Sequence, residues 1–556
     1  MTTVTGAYDE AVAHTAQNLL VIAPPGCGKT ELLARRAALL IPMLSPNQRI
    51  LALTFSNKAK ANLTGRLIEI LGAERTRKYV SIHNFHGHAA EIVRAHGRTL
   101  GLDPHFAMPD KRSQSDAIAP LLDGLSENDA GELSRRIGED LRDAKQRPRD
   151  DSDVLEALAL HGISQSIEIE SARQKAAKLY YDDLLRHAQR LIRVPEIAFL
   201  YRKHYGAMLV DEFQDLSPQQ LDLALRSCEQ SRTFVGDPLQ GIYSWTGARP
   251  IDVERRLRKI SGEPVDLGVS YRSSPRVLKL LNLVSVGLGG QALQPDNPAD
   301  WFEEGISAGA KFSTGSEEAA FIEQASALIL DKRPSATIGV ICRSAWRRKP
   351  IDAVFAVSSL PTTRWDLAVD DARVIELLNA ATTRLGGNPS IESLKTEVLA
   401  RIDATDVDTT ADVADALDHL EDLAAETGSV RDALKQFRVL DEGDTAIGPG
   451  VHLLNAHTGK GQQFDWVFIP GFEQGNIPSF FAKKQSEIDE EHRVLLVMLS
   501  RARHGVVLSR ADSLISKKGR PYPTTVSPWV NEVRTGLVTD QVGLLDHVAR
   551  MPELPS

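Results

Sequence analysis

Leu19-Leu20-Val21-Ile22-Ala23-Pro24-Pro25-Gly26-Cys27-Gly28-Lys29-Thr30-Glu31-Leu32-Leu33 reads as an apolar strand, a tight glycine-containing loop and the first turn of a helix. That order is what a phosphate cradle requires. Backbone N–H groups of the loop and the positive end of the helix converge on a phosphate, Lys29 reaches its outer oxygens, and the Thr30 hydroxyl can hold Mg2+. Ala23 stands where the general pattern has its first glycine, so a second signal matters. It comes at Met208-Leu209-Val210-Asp211-Glu212, an apolar strand ending in two carboxylates. One carboxylate suits a magnesium shell and the other the polarisation of an attacking water. The two stretches predict a nucleoside triphosphate substrate. They put Ala23, Pro24, Pro25, Gly26, Cys27, Gly28, Lys29, Thr30 and Glu31 at the nucleotide, with Thr30 and Asp211 as metal contacts.

At 556 residues the chain is long for one core, so two or more domains are expected. A net charge of -9 does not exclude nucleic acid, because binding depends on a local basic groove rather than on the total. The first residues lack a basic, apolar, small-residue signal pattern, and no apolar run approaches membrane-spanning length, so a cytoplasmic protein is expected. Cys27, Cys228 and Cys342 are isolated, which argues against a disulfide framework and a cysteine zinc site. Cys27 has two readings, a small loop residue or a thiol whose oxidation stops turnover.

Strands with short helical connections dominate residues 1–86 and 187–275, as in one parallel-sheet domain. Residues 87–186 read as a helical insertion. A second α/β unit spans 276–384 and 446–556, with strands at 336–342, 451–454, 466–469 and 506–508. It is interrupted at 385–445, where Val413, Leu417, Leu420 and Leu423 form an amphipathic pattern. Residues 401–444 carry 13 Asp and Glu against 4 Lys and Arg, so that surface would repel a phosphate backbone. It is read as a solvated or protein-facing cap.

Asp211-Glu212-Phe213-Gln214-Asp215, followed by Leu216-Ser217-Pro218-Gln219-Gln220, resembles motif II of the UvrD/Rep/PcrA group of superfamily 1 helicases. The likeness continues in order along the chain. Thr54-Phe55-Ser56-Asn57-Lys58-Ala59 is similar to motif Ia, Asn84-Phe85-His86-Gly87 to Ib, and the stretch from Val235-Gly236-Asp237 through Gln240, Tyr243 and Trp245 to Ala248 to motif III. Ser270-Tyr271-Arg272-Ser273-Ser274 resembles motif IV, Asn455-Ala456-His457-Thr458-Gly459-Lys460-Gly461-Gln462-Gln463-Phe464 motif V, and Glu490 to Ala502 motif VI.

The resemblance implies an α/β fold of two RecA-like parallel-sheet motor domains with helical insertions, ATP and Mg2+ as cofactors, and 3′ to 5′ movement on single-stranded DNA or DNA with a 3′ tail. Only 185 positions separate Arg272 from His457, which implies that the second insertion, the 2B region, is reduced. By the same resemblance Lys29, Glu212, Gln240, Arg272 and Arg501 are catalytic, the two arginines acting as fingers from the second domain. Tyr271 would stack on adenine, and Arg36 and Gln463 would lie near the nucleotide. Phe55, Asn57, Lys58, His86, Tyr243, Trp245 and His457 would face DNA. Three positions depart from the relatives. Tyr8 stands where they have a glutamine that reads the adenine edge, Gln463 replaces a glutamate, and Thr246 replaces an arginine, for which Lys58, Lys60 and Arg66 are candidate substitutes.

Two other readings stand against the motor. One is a DNA-dependent ATPase subunit of antiphage-defence type that regulates a partner nuclease, with little unwinding of its own; a partner nuclease or a repair protein is the protein partner expected. The other is a nucleotide-gated DNA-binding module without hydrolysis, which the presence of all five catalytic residues disfavours.

Overall fold

The computed structural model describes residues 4–106, 109, 113–122, 124, 127–243, 247–365, 368–369, 372–401, 413, 416–417, 420–421, 424, 428–436, 438–439, 447–457, 459–516 and 519–552. Trp245, Thr246 and Leu423 lie outside them.

The first sheet is built from β1 (Asn18–Ile22), β2 (Arg49–Thr54), β3 (Val80–Asn84), β4 (Tyr205–Val210), β5 (Ser231–Gly236) and β6 (Val265–Asp266), in the spatial order β3-β2-β4-β5-β1-β6 with every pair parallel. Its strands are apolar on both faces because helices cover both sides. Leu19, Val21, Ile50, Ala52, Ala207, Leu209 and Val235 enter one core layer, while Leu20, Leu51, Leu53, Met208, Val210 and Phe234 enter the other. The period of two along each strand divides the side chains this way. The strand order sets the ends of β1, β5 and β4 side by side, so the loops after them share one edge of the sheet.

The second sheet runs Thr362–Arg364, Gly450–Asn455, Thr337–Cys342, Phe464–Ile469, Ala502–Ile515 and Pro521–Pro523, and Ile306–Thr314 also pairs with Ala502–Ile515. All pairs are parallel except the last hairpin. The strand expected at 506–508 is 14 residues long, and it holds two neighbours over much of that length. The link between the sheets is tied down by serines of the chain after β6. Ser273 Oγ donates to Ala502 O at 2.7 Å, and Ser274 N donates to Arg503 O at 2.8 Å.

The sequence boundaries at 87 and 186 cut through two helices that belong to the first sheet. Phe85–His96 and Tyr181–Ile192 bury Phe85, Ala89, Ala90, Ile92, Val93, Leu184, Leu185 and Ala188 against it. The separate helical cluster lies between them and packs Ile137, Leu141, Val154, Leu158 and Ile169. A buried ionic network joins it to the sheet domain: Lys145 Nζ reaches Glu170 at 2.9 Å and Asp183 at 3.1 Å, and Arg186 Nη2 reaches Asp183 at 2.9 Å. Mutual pairing is what allows such charges to leave water.

The boundary at 385 is likewise too late. Val374, Leu378 and Ala381 on Ala372–Leu385 pack with Leu394, Val398, Val413, Leu417, Leu420 and Leu434 in one helical cluster. Among the described residues the apolar face of the earlier helix joins no other core, so the interruption starts near 372.

Candidate nucleotide cleft and nucleic-acid face

The loop after β1 is shaped by two left-handed glycines, Gly26 at φ 82° and Gly28 at φ 79°, the latter capping the helix Lys29–Leu40. A Cβ on Gly26 would stand 2.6 Å from Ser270 Oγ and 2.8 Å from Arg272 Cβ, so both the backbone angle and the close approach require glycine. Tyr271 N donates to Gly26 O at 2.9 Å, which seats the loop on the segment that carries Arg272. Ala23, Pro24, Pro25 and Cys27 are buried under the loop. The Cys27 thiol donates to Leu267 O at 3.7 Å, and burial pushes its pKa up to about 12. A buried, protonated thiol is unreactive, which favours the packing reading of Cys27.

Lys29 Nζ lies 3.3 Å from Glu212 Oε2 and 3.4 Å from Ala23 O. Glu212 is held in the left-handed region at φ 53°, unusual for a residue with a side chain and typical of strain kept at a working site. Its backbone N–H donates to Asp211 Oδ1 at 3.0 Å, and Gln214 Nε2 donates to Glu212 Oε2 at 2.6 Å. Burial opposes ionisation of both carboxyls. Lys29 and then Lys460 hold Glu212 below its ordinary value, while burial and the adjacent Glu212 charge push Asp211 well above its own. Asp211 is thus a buried carboxyl in want of a counter-charge. Among the described residues no group of three or more His, Cys, Asp or Glu could hold a metal unaided. Thr30 and Asp211 fit Mg2+, which uses one or two hard oxygen ligands and completes its shell with water and phosphate.

Gln240 is buried. Its Nε2 donates to Asp237 Oδ2 at 3.0 Å, and its Oε1 faces Arg501 Nη2 of the second domain at 3.5 Å. Arg501 also donates to Gln462 O and Ser500 Oγ. Burial, with Arg272 nearby, brings its pKa down to about 9, and burial brings Arg272 down to about 10. Both remain cations at neutral pH. Tyr271 is half exposed, and Tyr8 Cε2 lies 3.5 Å from where a Cβ on Gly28 would stand. Glu31 pairs with Arg66 at 2.8 Å. Gln463 is exposed, whereas its neighbour Gln462 is buried.

Arg36 is corrected by its surroundings. It is 1% exposed, Nη1 donates to the carbonyls of Ala11, Val12 and His14, and Nε donates to Thr233 Oγ1. Its donors anchor the N-terminal helix to the sheet and are not offered to a nucleotide.

Of the residues expected to face DNA, Phe55 stacks on Tyr243 with centroids 5.5 Å apart, and the His457 ring lies 6.3 Å from Tyr243. His86 stacks on Tyr181 at 3.9 Å. Asn57 Oδ1 accepts from Asn84 Nδ2, and Lys58 follows on the same helix, Asn57–Leu71. Beyond His457 a cavity of about 760 Å³ is lined by Arg343, Trp346, Phe480 and Phe481 among others.

Two cross-domain contacts were missed in the sequence. Lys460 Nζ reaches both Asp215 oxygens at 2.7 Å and Gln240 O at 2.9 Å, and Arg493 Nε donates to Gly241 O at 2.9 Å. The signal for Lys460 was its place in Gly459-Lys460-Gly461, where flanking glycines free a cation to cross a cleft.

A family profile described as the UvrD/REP helicase N-terminal domain matches residues 4–258, and one described as the UvrD-like helicase C-terminal domain matches residues 391–513. DNA helicase II of Escherichia coli strain K12 is 31% identical over 291 residues, 49% of this chain and 39% of that protein. ATP-dependent DNA helicase Rep of Salmonella typhimurium is 30% identical over 286 residues, 49% of this chain and 42% of that protein. The probable DNA helicase II homolog of Rickettsia felis is 24% identical over 620 residues, 93% of this chain and 94% of that protein. The aligned part thus spans about two fifths of the first two relatives and nearly all of the third. No helix among the described residues is long and apolar enough to cross a membrane. With both profiles matched in order over most of a two-sheet P-loop fold, the chain belongs to the UvrD/Rep helicase family.

Proposed function

We propose that this chain is an ATP-driven motor that moves 3′ to 5′ along single-stranded DNA and separates duplex from a 3′ tail. The observation that carries the reading is Arg501 of the second domain, 3.5 Å from Gln240 at the edge of the first sheet. An arginine brought to the phosphate site by another domain makes hydrolysis depend on closure of the cleft.

In this reading Lys29 leaves Glu212 to meet the outer phosphate oxygens, and Glu212 then orients the attacking water. Gln240 senses the γ-phosphate, while Arg272 and Arg501 offset the charge that develops on it. Thr30 and Asp211 would hold Mg2+, which supplies charge neutralisation at the phosphates. Phe55, Tyr243, His457 and His86 present rings on which bases stack, and alternating grip between two closing domains converts turnover into steps. The direction of travel follows from the family resemblance.

The test is ATP turnover by the wild type and Glu212→Gln, with and without single-stranded DNA, on substrates with a 3′ or a 5′ overhang. DNA-stimulated turnover lost in the variant, with unwinding from the 3′ tail alone, is expected. Turnover indifferent to DNA would overturn the motor reading in favour of an ATPase that serves a partner.

A further inference from the structure

We propose that Tyr8 and Tyr271 make the base end of the nucleotide cleft a slot that takes adenine and guanine alike, so that the chain turns over GTP as well as ATP. The inference rests on the reading of Gly26 to Thr30 as a phosphate loop, and it names the class of nucleotide that the loop serves. Both tyrosines are seated on the loop itself. Tyr8 Cε2 lies 3.5 Å from where a Cβ on Gly28 would stand, and Tyr271 N donates to Gly26 O at 2.9 Å. Tyr8 is carried by the helix Val4–Ala13, whose end is fixed to the sheet. Arg36 Nη1 donates to the carbonyls of Ala11, Val12 and His14, and Arg36 Nε donates to Thr233 Oγ1. Tyr271 is half exposed, so its ring is available for stacking on a base.

The Tyr8 hydroxyl is buried and has no hydrogen-bond partner among the described residues. An unpaired buried group of this kind is costly to keep, and the edge of a bound base would supply its partner. Burial, then Glu31 and the Tyr271 hydroxyl, push its pKa up to about 12, so it keeps its proton at neutral pH. It offers one donor whose hydrogen can turn, and an acceptor. That chemistry does not tell the two purines apart. Adenine presents an amino donor beside the N7 acceptor, whereas guanine presents two acceptors, O6 and N7. A side-chain amide offers its carbonyl and its amino group as a fixed pair, which fits adenine and sets oxygen against oxygen on guanine. A hydroxyl donates to N7 or O6, or accepts from the adenine amino group, and rejects neither base. The nearby cations do not restore the choice. The Arg35 guanidinium lies 5.9 Å from the Tyr8 ring centroid, and Arg35 and Arg66 both pair with Glu31. Arginine only donates, which suits the two acceptors of guanine at least as well as the single acceptor of adenine.

The experiment measures kcat/KM for ATP and for GTP with oligothymidylate and Mg2+ present, and the affinities of ribose-labelled fluorescent ADP and GDP, for the full chain as wild type, Tyr8→Phe and Tyr8→Gln. In the wild type the two purines are expected to differ by less than about tenfold, in turnover and in binding, the lower reach of one bidentate base contact. Tyr8→Phe keeps the ring and loses only the hydroxyl, so the ratio of ATP to GTP should stay at the wild-type value even if both affinities fall. Tyr8→Gln should shift that ratio toward ATP by about five- to a hundredfold, the discrimination that a bidentate amide supplies. A purely structural disturbance would weaken both nucleotides together and leave the ratio alone. A wild type that prefers ATP by more than about tenfold overturns the proposal. So does a Tyr8→Phe ratio that departs from the wild type, or a Tyr8→Gln ratio that does not. Should Tyr8→Gln fail to fold, the wild-type ratio decides alone. A wild type that binds neither labelled nucleotide would overturn the phosphate-loop reading itself, and this proposal with it.

Discussion

Lys29 Nζ and Glu212 Oε2 are 3.3 Å apart, so the cation assigned to the phosphates and the carboxylate assigned to the attacking water are bound to each other. One must release the other before either can act. Glu212→Gln removes the charge that holds Lys29 and should raise affinity for a fluorescent ATP analogue severalfold. The same change should lower steady-state turnover by at least about a hundredfold, the usual scale for a lost general base. Unchanged turnover would remove Glu212 from that role.

Arg501 uses its guanidinium as a fork, with Gln462 O at 3.3 Å, Ser500 Oγ at 2.6 Å and Gln240 Oε1 at 3.5 Å around it. Lysine cannot reproduce that geometry. Arg501→Ala and Arg501→Lys should both cut turnover by about a thousandfold, as for a lost arginine finger. Nucleotide affinity should change far less. A variant that turns over normally with lysine at 501 would show that charge alone suffices.

Motifs at strand ends were legible in the sequence because the chemistry demands fixed residue types there: two glycines with positive φ, a lysine at the helix start and paired carboxylates after an apolar strand. The parallel sheet of the first domain was legible from its apolar runs. Helix ownership was not. Phe85–His96 and Tyr181–Ile192 have the alternating charge and apolar spacing of the insertion they flank, and only contact with the sheet assigns them. The same holds for Ala372–Leu385 and its cluster. Lys460 and Arg493 were missed because their partners, Asp215 and Gly241, lie more than 200 residues away and the contacts cross between two sheets. Arg36 was misassigned because motif order conveys proximity to the loop but not which way a side chain turns.

Phe55 and Tyr243 stack 5.5 Å apart at the edge shared by the two domains. Stacking of a base on an aromatic ring is worth roughly 1 to 3 kcal/mol by alanine substitution. Tyr243→Ala should therefore weaken binding of a labelled oligothymidylate by about five- to a hundredfold, and Phe55→Ala by a similar factor. Tyr243→Phe keeps the ring and should lose little. A hydroxyl-dependent loss would instead assign the affinity to the contact with His457 O.

His88 and His187 make acid a specific stress on the first domain. Burial, aided by His83 in one case and by Arg186 in the other, brings each ring down to about 3, so both are neutral in the fold. His88 Nε2 lies 2.9 Å from Ser227 Oγ, and Nδ1 is buried without a hydrogen-bond partner among the described residues. In the unfolded chain each titrates near 6.5. Above pH 6.5 neither state binds the proton and the stability is fully present. As pH falls from 6.5 toward 3 the unfolded state takes up protons that the fold refuses, and stability is lost at up to about 1.4 kcal/mol per pH unit for each histidine. Asp183, held low by Lys145, Arg173 and Arg186 against the cost of its burial, gives way in the same direction but only below its unfolded value of 3.8. Over the same range the buried carboxyls of Asp211 and Asp215, pushed up by burial to about 7 and about 6, take up protons in the fold and act in the opposite direction, so the histidine contribution is read as the difference between the wild type and His88→Asn in the first urea transition from pH 6.5 to 4.5. In His88→Asn, whose amide can still meet Ser227, the stability should fall with acid by up to about 1.4 kcal/mol per pH unit less than in the wild type. A wild type and a His88→Asn variant whose midpoints run parallel across this window would mean that the folded protein accepts the His88 proton, and that the ring is not held neutral by its burial.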